Sequence, residues 1–328
     1  MSDHSLMSLG EALDALSRLP HLVLDLPDAD TERIHRAARA VSGGKPILYA
    51  MTLSLIDTIK GKPTVILATG EYDREGFTHG ETDGPYGVAS LAHAFHKLGC
   101  RVVLCHDPIL QPVHHTIIDR FVGVDFEVAD FPGGPGFDHR AHSAAILDRY
   151  LPVALVAVEK LGRNSVGVYH GASGYPATDA DMNRVDVLFD VAHERGLLTL
   201  GFGDHGNEIG FGAIQSEAKA ANPVGSKCTC PCGRGIIAIT PTTHLLPCTV
   251  SNWGAIALSD MLGVATQRED LLHTAENEDR LLDLGVEAGA VEALSMKPIR
   301  GVDGFTGEYD LAIIRLMYEA SLMTLRRG

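Results

Sequence analysis

Short apolar runs rich in β-branched residues alternate along this chain with segments of helical periodicity. Residues 64–69 (TVILAT) predict a buried strand, residues 85–98 predict a helix, and residues 101–105 (RVVLC) predict a second strand. Pro85 suits the first helical position and Gly99 the position just after the helix. The sequence therefore predicts a βαβ unit, in which the two strands are parallel and the crossover is right-handed.

The same alternation continues to the C-terminal half. Further strands are predicted at residues 154–158, 197–201 and 235–240, and further helices at residues 179–195 and 253–262. This pattern indicates an α/β fold: a mostly parallel sheet with helices on both faces, Rossmann-like, preceded by an N-terminal helical layer. We expect residues 1–60 to form a mostly helical accessory segment and residues 61–328 to form the α/β domain.

Charge and cysteine content narrow the function classes. The chain has 42 acidic and 27 basic residues, a formal net charge of −15, which disfavours nucleic-acid and membrane-surface partners. Its apolar runs, such as residues 153–158, fall well short of the ~18 residues that a membrane helix requires. Six cysteines in a chain of this length do not predict a disulfide scaffold, so we expect a cytoplasmic protein. A homo-oligomer is compatible with the sequence.

Polar loops follow several of the predicted strands. In parallel α/β sheets, ligands bind beyond the carboxyl ends of the strands. The loops after residues 69, 158, 201 and 240 are therefore expected to converge on one edge of the sheet and to line a single cleft.

The first loop, residues 70–84, combines glycines with acidic side chains, among them Glu71, Asp73 and Glu75. The segment Glu81-Thr82-Asp83-Gly84 lies directly before the helix that Pro85 begins, where free backbone amides attract anions. Asp83 can also cap those amides itself, whereas Glu81 and Thr82 are better candidates for a site. The glycines, Gly84 included, allow a ligand to approach the backbone closely.

Glu159 ends the strand predicted at residues 154–158 and therefore faces the same edge. It is a candidate catalytic carboxylate, although an ion pair with Lys160 or Arg163 would explain it equally well.

The third loop, residues 201–212 (GFGDHGNEIGFG), is the densest in polar groups. Asp204, Asn207 and Glu208 are hard oxygen ligands or hydrogen-bond acceptors, suited to Mg²⁺, Mn²⁺ or a substrate ammonium group, and His205 lies among them. Residues 201–206 also match the dinucleotide motif G-x-G-x-x-G. That match is weak, because Asp204 would lie against the pyrophosphate and residue 240 supplies no acid for the ribose.

Two further segments have both a structural and a functional interpretation. Ser251 and Asn252 precede a predicted helix and can either cap it or bind substrate.

Cys228, Cys230 and Cys232 form C-x-C-x-C, with His244 and Cys248 downstream. Structural zinc sites prefer wider spacing, and Pro231 makes a closed tetrahedral site awkward, so a mobile surface loop is favoured over a metal site.

Several motifs together resemble a known family. GETDGPYGVASLAHAFHKLG, EKLGRNSVGVYHGASGYP, GFGDHGNEIGFG and SNWGA occur in this order between about residues 63 and 310. They are similar to the D-glutamate cyclase-like C-terminal domain family, in which glycine more often stands at the position of His205.

The resemblance implies a lyase: a reversible, ATP-independent cyclisation of D-glutamate to 5-oxo-D-proline with loss of water, or a related lactam reaction. Two alternatives remain, an NAD(P)-dependent oxidoreductase and a non-catalytic amino-acid-binding protein. Clustered carboxylates repel one another at neutral pH, so we expect a divalent cation, Mn²⁺ or Mg²⁺, held by Asp204 and Glu208. Without a metal, Lys160, Arg163 or Arg300 would have to point into the cleft beside Glu208.

The candidate residues fall into two groups. The expected catalytic residues are Glu81, Asp83, Glu159, Asp204, Asn207 and Glu208, and the expected substrate-binding residues are Thr82, Gly84, His205, Ser251 and Asn252.

Overall fold

The computed structural model describes residues 2–21, 28–72, 77–131, 136–177 and 183–327. Asp73, Glu75 and the first part of the helix predicted at residues 179–195 lie outside these ranges. The helices are α1 (Asp3–Ser17), α2 (Asp28–Val41), α3 (Ile47–Thr58), α4 (Pro85–Lys97), α5 (Gln111–His114), α6 (Arg120–Val122), α7 (His139–Tyr150), α8 (Val185–Glu194), α9 (Gln215–Ala221), α10 (Ser251–Thr266), α11 (Ala275–Ala288) and α12 (Gly307–Leu325). The strands are β1 (Thr64–Thr69), β2 (Arg101–Cys105), β3 (Glu127–Val128), β4 (Pro152–Val158), β5 (Leu198–Gly203), β6 (His244–Pro247), β7 (Gly301–Val302) and β8 (Phe305–Thr306).

Six of the strands form one parallel sheet in the order β3-β2-β1-β4-β5-β6. From β1, the strands β2 and β3 are added toward one side of the sheet. From β4, which lies on the other side of β1, the strands β5 and β6 are added in the opposite direction. The loops after β1 and β4 therefore diverge and leave a crevice at the carboxyl edge, which is where doubly wound folds bind ligands. The strands β7 and β8 form a separate antiparallel hairpin. The α/β, Rossmann-like prediction is confirmed.

Helices cover both faces of the sheet because alternate strand residues point to opposite sides. In β1, Val65 and Leu67 pack into a large core that includes residues of α1, α3, α4, α10 and α12. Ile66 and Ala68 pack into a smaller core with residues of α7 and α8. Three helices precede β1, as expected: α3 packs against β5 and β6, and α1 packs against α10. In the described ranges, no helix is long and apolar enough to cross a membrane.

One predicted strand is wrong. Residues 235–240 do not join the sheet, and the sixth strand is β6, a few residues later. The backbone amides of Ala238 and Ile239 donate instead to Gly206 O and Arg163 O, so this apolar segment packs against two loops of the carboxyl edge. Consequently, the rim segment that follows the last strand begins at Cys248 and leads into α10.

The starts of α4 and α10 cap each other. The Asp83 carboxylate accepts the backbone N–H groups of Ser251 and Asn252 at 2.8 Å, and the Asn252 side-chain oxygen accepts those of Gly84 (2.8 Å) and Gly87 (2.7 Å). Each side chain thus satisfies orphan amides of the neighbouring helix. Asp83 and Asn252 are both caps, as their structural interpretations allowed, but each caps the other's helix.

Both the backbone conformation and the close packing at residue 84 require glycine. Its φ is +95°, and a Cβ built on it would lie 2.4 Å from Thr69 Oγ1 and 3.0 Å from Glu159 Cβ. The end of β1, the start of α4 and the end of β4 therefore meet with no room for a side chain.

We expect Gly84→Ala to lower the free energy of unfolding by roughly 3 kcal/mol or more, because backbone strain and overpacking add. The matched control is Gly43→Ala, whose φ is +75° with no atom within 4 Å of its Cβ; only strain acts there, and the loss should be about 1 kcal/mol. Chemical denaturation measures both values. Equal losses in the two variants would refute the close packing at Gly84.

Candidate functional site

Acidic side chains from three segments gather at the crevice between β1 and β4. Glu81 and Asp83 follow β1, Glu159 directly follows β4, and Asp204 follows β5. Burial and the charge of Asp204 both raise the pKa of Asp83, which requires the two carboxylates to lie near each other. The structure therefore brings the loops after β1, β4 and β5 to one place, as the sequence pattern predicted.

Seven carboxylates, which we call the acidic cluster, interact electrostatically at this position. Its members are Glu71, Glu81, Asp83, Glu159, Asp204, Glu208 and Asp303. Carboxylate oxygens of Glu71, Glu81 and Glu159 lie within 4.8 Å of one another. A second triad, Asp204, His205 and Glu208, has ligand atoms within the same distance.

Two members were not selected from the sequence. Glu71 was noted only as one of the acids in its loop, and nothing distinguished it from Asp73 or Glu75. Asp303 occupies the tight turn between β7 and β8 with a φ of +45°, and Gly304 follows it with a φ of +78°. An Asp-Gly pair between short strands is the usual signature of such a hairpin, and that signal could have drawn attention to Asp303.

The loop after β5 is shaped by Glu208. Its two carboxylate oxygens accept the backbone amides of His205 (3.0 Å) and Gly206 (2.8 Å), so the side chain organises its own loop. His205 Nδ1 lies 2.5 Å from Asp204 Oδ1, and Asn222 donates to the His205 carbonyl. Hydrogen bonds to the loop backbone therefore hold in place the segment that carries the Asp204 carboxylate and the His205 imidazole.

Glu159 is held in an unusual conformation. Its φ of +44° lies in the left-handed region, which is costly for a residue with a β-carbon. Its backbone N–H donates to Phe202 O, and the Ser251 hydroxyl donates to its carboxylate at 2.5 Å. Ser251 thus directs Glu159 into the acidic cluster.

Other predicted substrate-binding residues have structural hydrogen bonds. The Thr82 hydroxyl donates to Gly301 O, and the Asn252 amide donates to Thr82 O. The Asn207 amide donates to His170 O, whereas its side-chain oxygen is buried and has no hydrogen-bond partner among the described residues. Asn207 can therefore still accept one hydrogen bond from a ligand, while Thr82 and Asn252 support the loops.

Burial and mutual repulsion raise the pKa values in the cluster. Burial raises the pKa of Glu81 and of Glu159 well above the usual range, and neighbouring carboxylates raise each of them further. The same causes raise the pKa of Asp83 to about 6 and of Glu208 to about 8. Burial alone would lower the pKa of His205, but the charge of Asp204 raises it to about 9.

The size of the repulsion decides the charge state. Two ionised carboxylates 4.8 Å apart repel by roughly 3.5 kcal/mol at an effective dielectric constant of about 20. Three such pairs would cost roughly 10 kcal/mol, comparable to the whole stability of a typical domain. The triad of Glu71, Glu81 and Glu159 must therefore hold protons or a cation.

The three basic residues considered as an alternative to a metal have partners elsewhere. Lys160 is buried and donates to Asp107 (2.6 Å) and to Gly70 O. Arg163 pairs with Asp186 and Asp190. Arg300 pairs with Asp279 and Asp283 at the surface. The alternative in which Glu159 only pairs with Lys160 or Arg163 is therefore wrong, and none of these three residues forms a basic clamp beside Glu208.

The donor set fits a hard divalent cation. Its side chains offer carboxylate oxygens, the ligands that Mn²⁺ and Mg²⁺ prefer, and Glu81 Oε1 is buried without a hydrogen-bond partner in the part of the chain that the structure describes. Both triads could hold such a cation: Glu71, Glu81 and Glu159 form one, and Asp204, His205 and Glu208 form the other. In the second triad, the two Glu208 oxygens already accept backbone amides.

The glycine motif at residues 201–206 does not form a dinucleotide site. In such sites, free amides at the start of a helix bind the pyrophosphate. Here the amides of His205 and Gly206 are occupied by Glu208, and α9 begins only at Gln215.

Comparison with known proteins shows similarity to one family model and to one human protein. A family model described as D-glutamate cyclase-like, C-terminal, matches residues 22–318. The human protein "D-glutamate cyclase, mitochondrial" is 28% identical over 187 residues, which cover 55% of this chain. The matched part spans 29% of the length of that relative.

We expect the metal-free protein to lose thermal stability as the pH rises from 5 to 8. The raised pKa values mean that the folded state binds more protons than the unfolded state in this window, so each deprotonation costs stability. Melting temperatures in chelator should fall by several degrees, and Mn²⁺ should restore more of the loss at pH 8 than at pH 5.

Glu159→Gln provides the control, because it removes one buried acid and should flatten the cluster's part of this pH dependence. Melting temperatures that are unchanged or higher at pH 8, with no response to Mn²⁺, would contradict the assigned charge states.

Proposed function

Because the chain belongs to the D-glutamate cyclase-like, C-terminal family, we propose that it catalyses the reversible, ATP-independent cyclisation of D-glutamate to 5-oxo-D-proline. The observation that carries this proposal is the acidic cluster, a buried set of carboxylates whose pKa values lie in the range where protons are exchanged near neutral pH. The family supports an enzyme of this general kind, and the chemistry of the acidic cluster supports the specific reaction.

The reaction must move protons without consuming them. The α-nitrogen arrives as an ammonium group, loses two protons and bonds to the γ-carboxyl carbon, while one γ-oxygen gains two protons and leaves as water. A base must therefore accept from nitrogen and an acid must donate to oxygen, and each must be restored. Carboxylic acids with pKa values near 6 to 8 can perform both steps, which suits a reversible reaction.

The acidic cluster offers distinct groups for these tasks. Its ionised carboxylates bind the substrate ammonium group, and whichever of Glu81 and Glu159 is ionised accepts a proton from it. The raised pKa values of these two groups make them strong enough as bases and able to return the proton. Holding the amine and the γ-carboxyl carbon in contact also removes most of the entropic cost of ring closure.

The pair of Asp204 and His205 supplies the positive charge. With its pKa near 9, His205 is an imidazolium at neutral pH, oriented by Asp204 through Nδ1. We assign it to the γ-carboxylate, where it stabilises the developing oxyanion. The unpartnered Asn207 oxygen accepts a hydrogen bond from the substrate ammonium group.

A divalent cation, Mn²⁺ or Mg²⁺, is part of the proposal. Glu71, Glu81 and Glu159 or Asp204 and Glu208 would hold it, and when bound it would neutralise the carboxylates and polarise the substrate carboxyl group. The cytoplasmic location, the small-molecule substrate and a homo-oligomer also remain predictions.

The direct test is incubation with D-glutamate, L-glutamate and 5-oxoproline, each with chelator or Mn²⁺, followed by chiral separation and mass spectrometry. We expect loss of water from D-glutamate only, dependence on the divalent cation, and the reverse reaction from 5-oxo-D-proline. Binding of D-glutamate without turnover would support an amino-acid-binding protein, and saturable NADH binding would support an oxidoreductase; either result would overturn the proposal.

Asp204→Asn should lower turnover by ~100-fold or more, because it removes the charge that keeps His205 protonated and oriented. The melting temperature should stay within a few degrees of the parent. Asp125→Asn is the matched control, since Asp125 is 91% exposed, and it should leave turnover unchanged. Full activity in Asp204→Asn would remove Asp204 and its imidazole partner from the mechanism.

A further inference from the structure

Three cysteines and a histidine converge outside the acidic cluster. Cys228 Sγ lies 3.4 Å from Cys230 Sγ and 3.2 Å from Cys232 Sγ. His170 Nε2, which comes from a loop more than fifty residues earlier, lies 3.2 Å from Cys230 Sγ and 3.7 Å from Cys232 Sγ. All four ligand atoms lie within 4.8 Å of one another, and the cysteines are free thiols.

This arrangement corrects the expectation of a mobile surface loop. The tight C-x-C-x-C spacing, with Pro231 inside it, made a closed site look unsuitable, and the downstream His244 contacts Ser42 and Ser54 instead. The fourth group is His170, which no sequence spacing indicated. The chain turns after Cys230, where Gly233 N donates to Cys230 O. This turn places the sulfur atoms of Cys230 and Cys232 next to that of Cys228.

The segment that carries the cysteines is a closed loop, residues 225–235. Its two ends touch, because a Cβ on Gly235 would lie 1.9 Å from Gly225 O. The Thr229 hydroxyl donates to Gly174 O, and the Asn164 amide donates to Gly235 O. The loop is therefore fixed to the segment around His170 by hydrogen bonds on both sides of the four ligand atoms.

We propose that Cys228, Cys230, Cys232 and His170 form a structural zinc site. In a tetrahedral zinc site with bonds of about 2.3 Å to sulfur and about 2.0 Å to nitrogen, two sulfur atoms lie roughly 3.8 Å apart and sulfur and nitrogen roughly 3.5 Å apart, within about 0.6 Å of the spacings here. Soft thiolates favour zinc over Mn²⁺ or Mg²⁺. Four ligand atoms this close surround one ion, whereas an iron–sulfur cluster spreads its ligands over several irons.

The zinc site would support the catalytic loop through one residue. The His170 carbonyl accepts the Asn207 side-chain amide at 2.9 Å, and His170 is fully buried. Fixing the His170 ring on zinc fixes this carbonyl and thereby the direction in which Asn207 points its free oxygen. This inference concerns a separate metal and holds whichever reaction the acidic cluster performs.

The test is metal analysis of the full chain, expressed with zinc and purified under reducing conditions. We expect about one zinc per chain in the parent and in Cys100→Ala, which removes a buried thiol elsewhere. Asp204→Asn should also keep its zinc, which separates this site from the acidic cluster. Cys230→Ser, a conservative change at a half-buried position, should lower zinc content at least five-fold.

Cobalt substitution of the parent gives a readout that does not depend on how the variants fold. Cobalt bound by thiolates absorbs in the near ultraviolet, and the intense visible bands of tetrahedral Co²⁺ should accompany this absorption. Parent protein without zinc, equal zinc in Cys230→Ser, or a cobalt spectrum without thiolate absorption would overturn the proposal.

Discussion

Repulsion among buried carboxylates is the constraint on which the architecture of the site depends. The acidic cluster places seven acids at the crevice where strand order reverses, and His205 is the cationic side chain that pairs within it. Burial removes the water that would otherwise screen these charges, so protons, a metal ion or a cationic substrate must compensate them. A site with this property is suited to cations and to proton exchange, which are what the ammonium-bearing substrate of the proposed reaction requires.

The surrounding fold is built to hold such a site against its own repulsion. Asp83 and Asn252 exchange caps between α4 and α10, which connects the loop after β1 to the segment after β6. Gly84 allows β1, α4 and β4 to meet without a side chain between them. Glu208 uses both carboxylate oxygens to shape the loop that carries Asp204 and His205. Acids with structural hydrogen bonds therefore position the loops that carry the other acids of the cluster.

Local patterns were sufficient to predict four strands of the sheet, β1, β2, β4 and β5, and the convergence of the loops that follow β1, β4 and β5. The bounds of β1 and β2 follow from short apolar runs, and the position of Glu159 follows from the end of β4. Residues 235–240 have the same apolar pattern as a strand, but their hydrogen bonds go to loops, which only the tertiary structure reveals. Asp303 and His170 enter their sites from distant segments, and no spacing along the chain indicates such contacts.

The claim that the buried carboxylates hold protons is tested most directly by the number of protons released when a divalent cation binds. Calorimetric titration of Mn²⁺ at pH 7, repeated in buffers of different ionisation enthalpy, gives this number. The account predicts release of about one proton or more per ion, because the cation displaces protons from carboxylic acids whose pKa values are raised. Binding without proton release, or no binding at all, would contradict the account of a protonated carboxylate cluster that serves as a cation site.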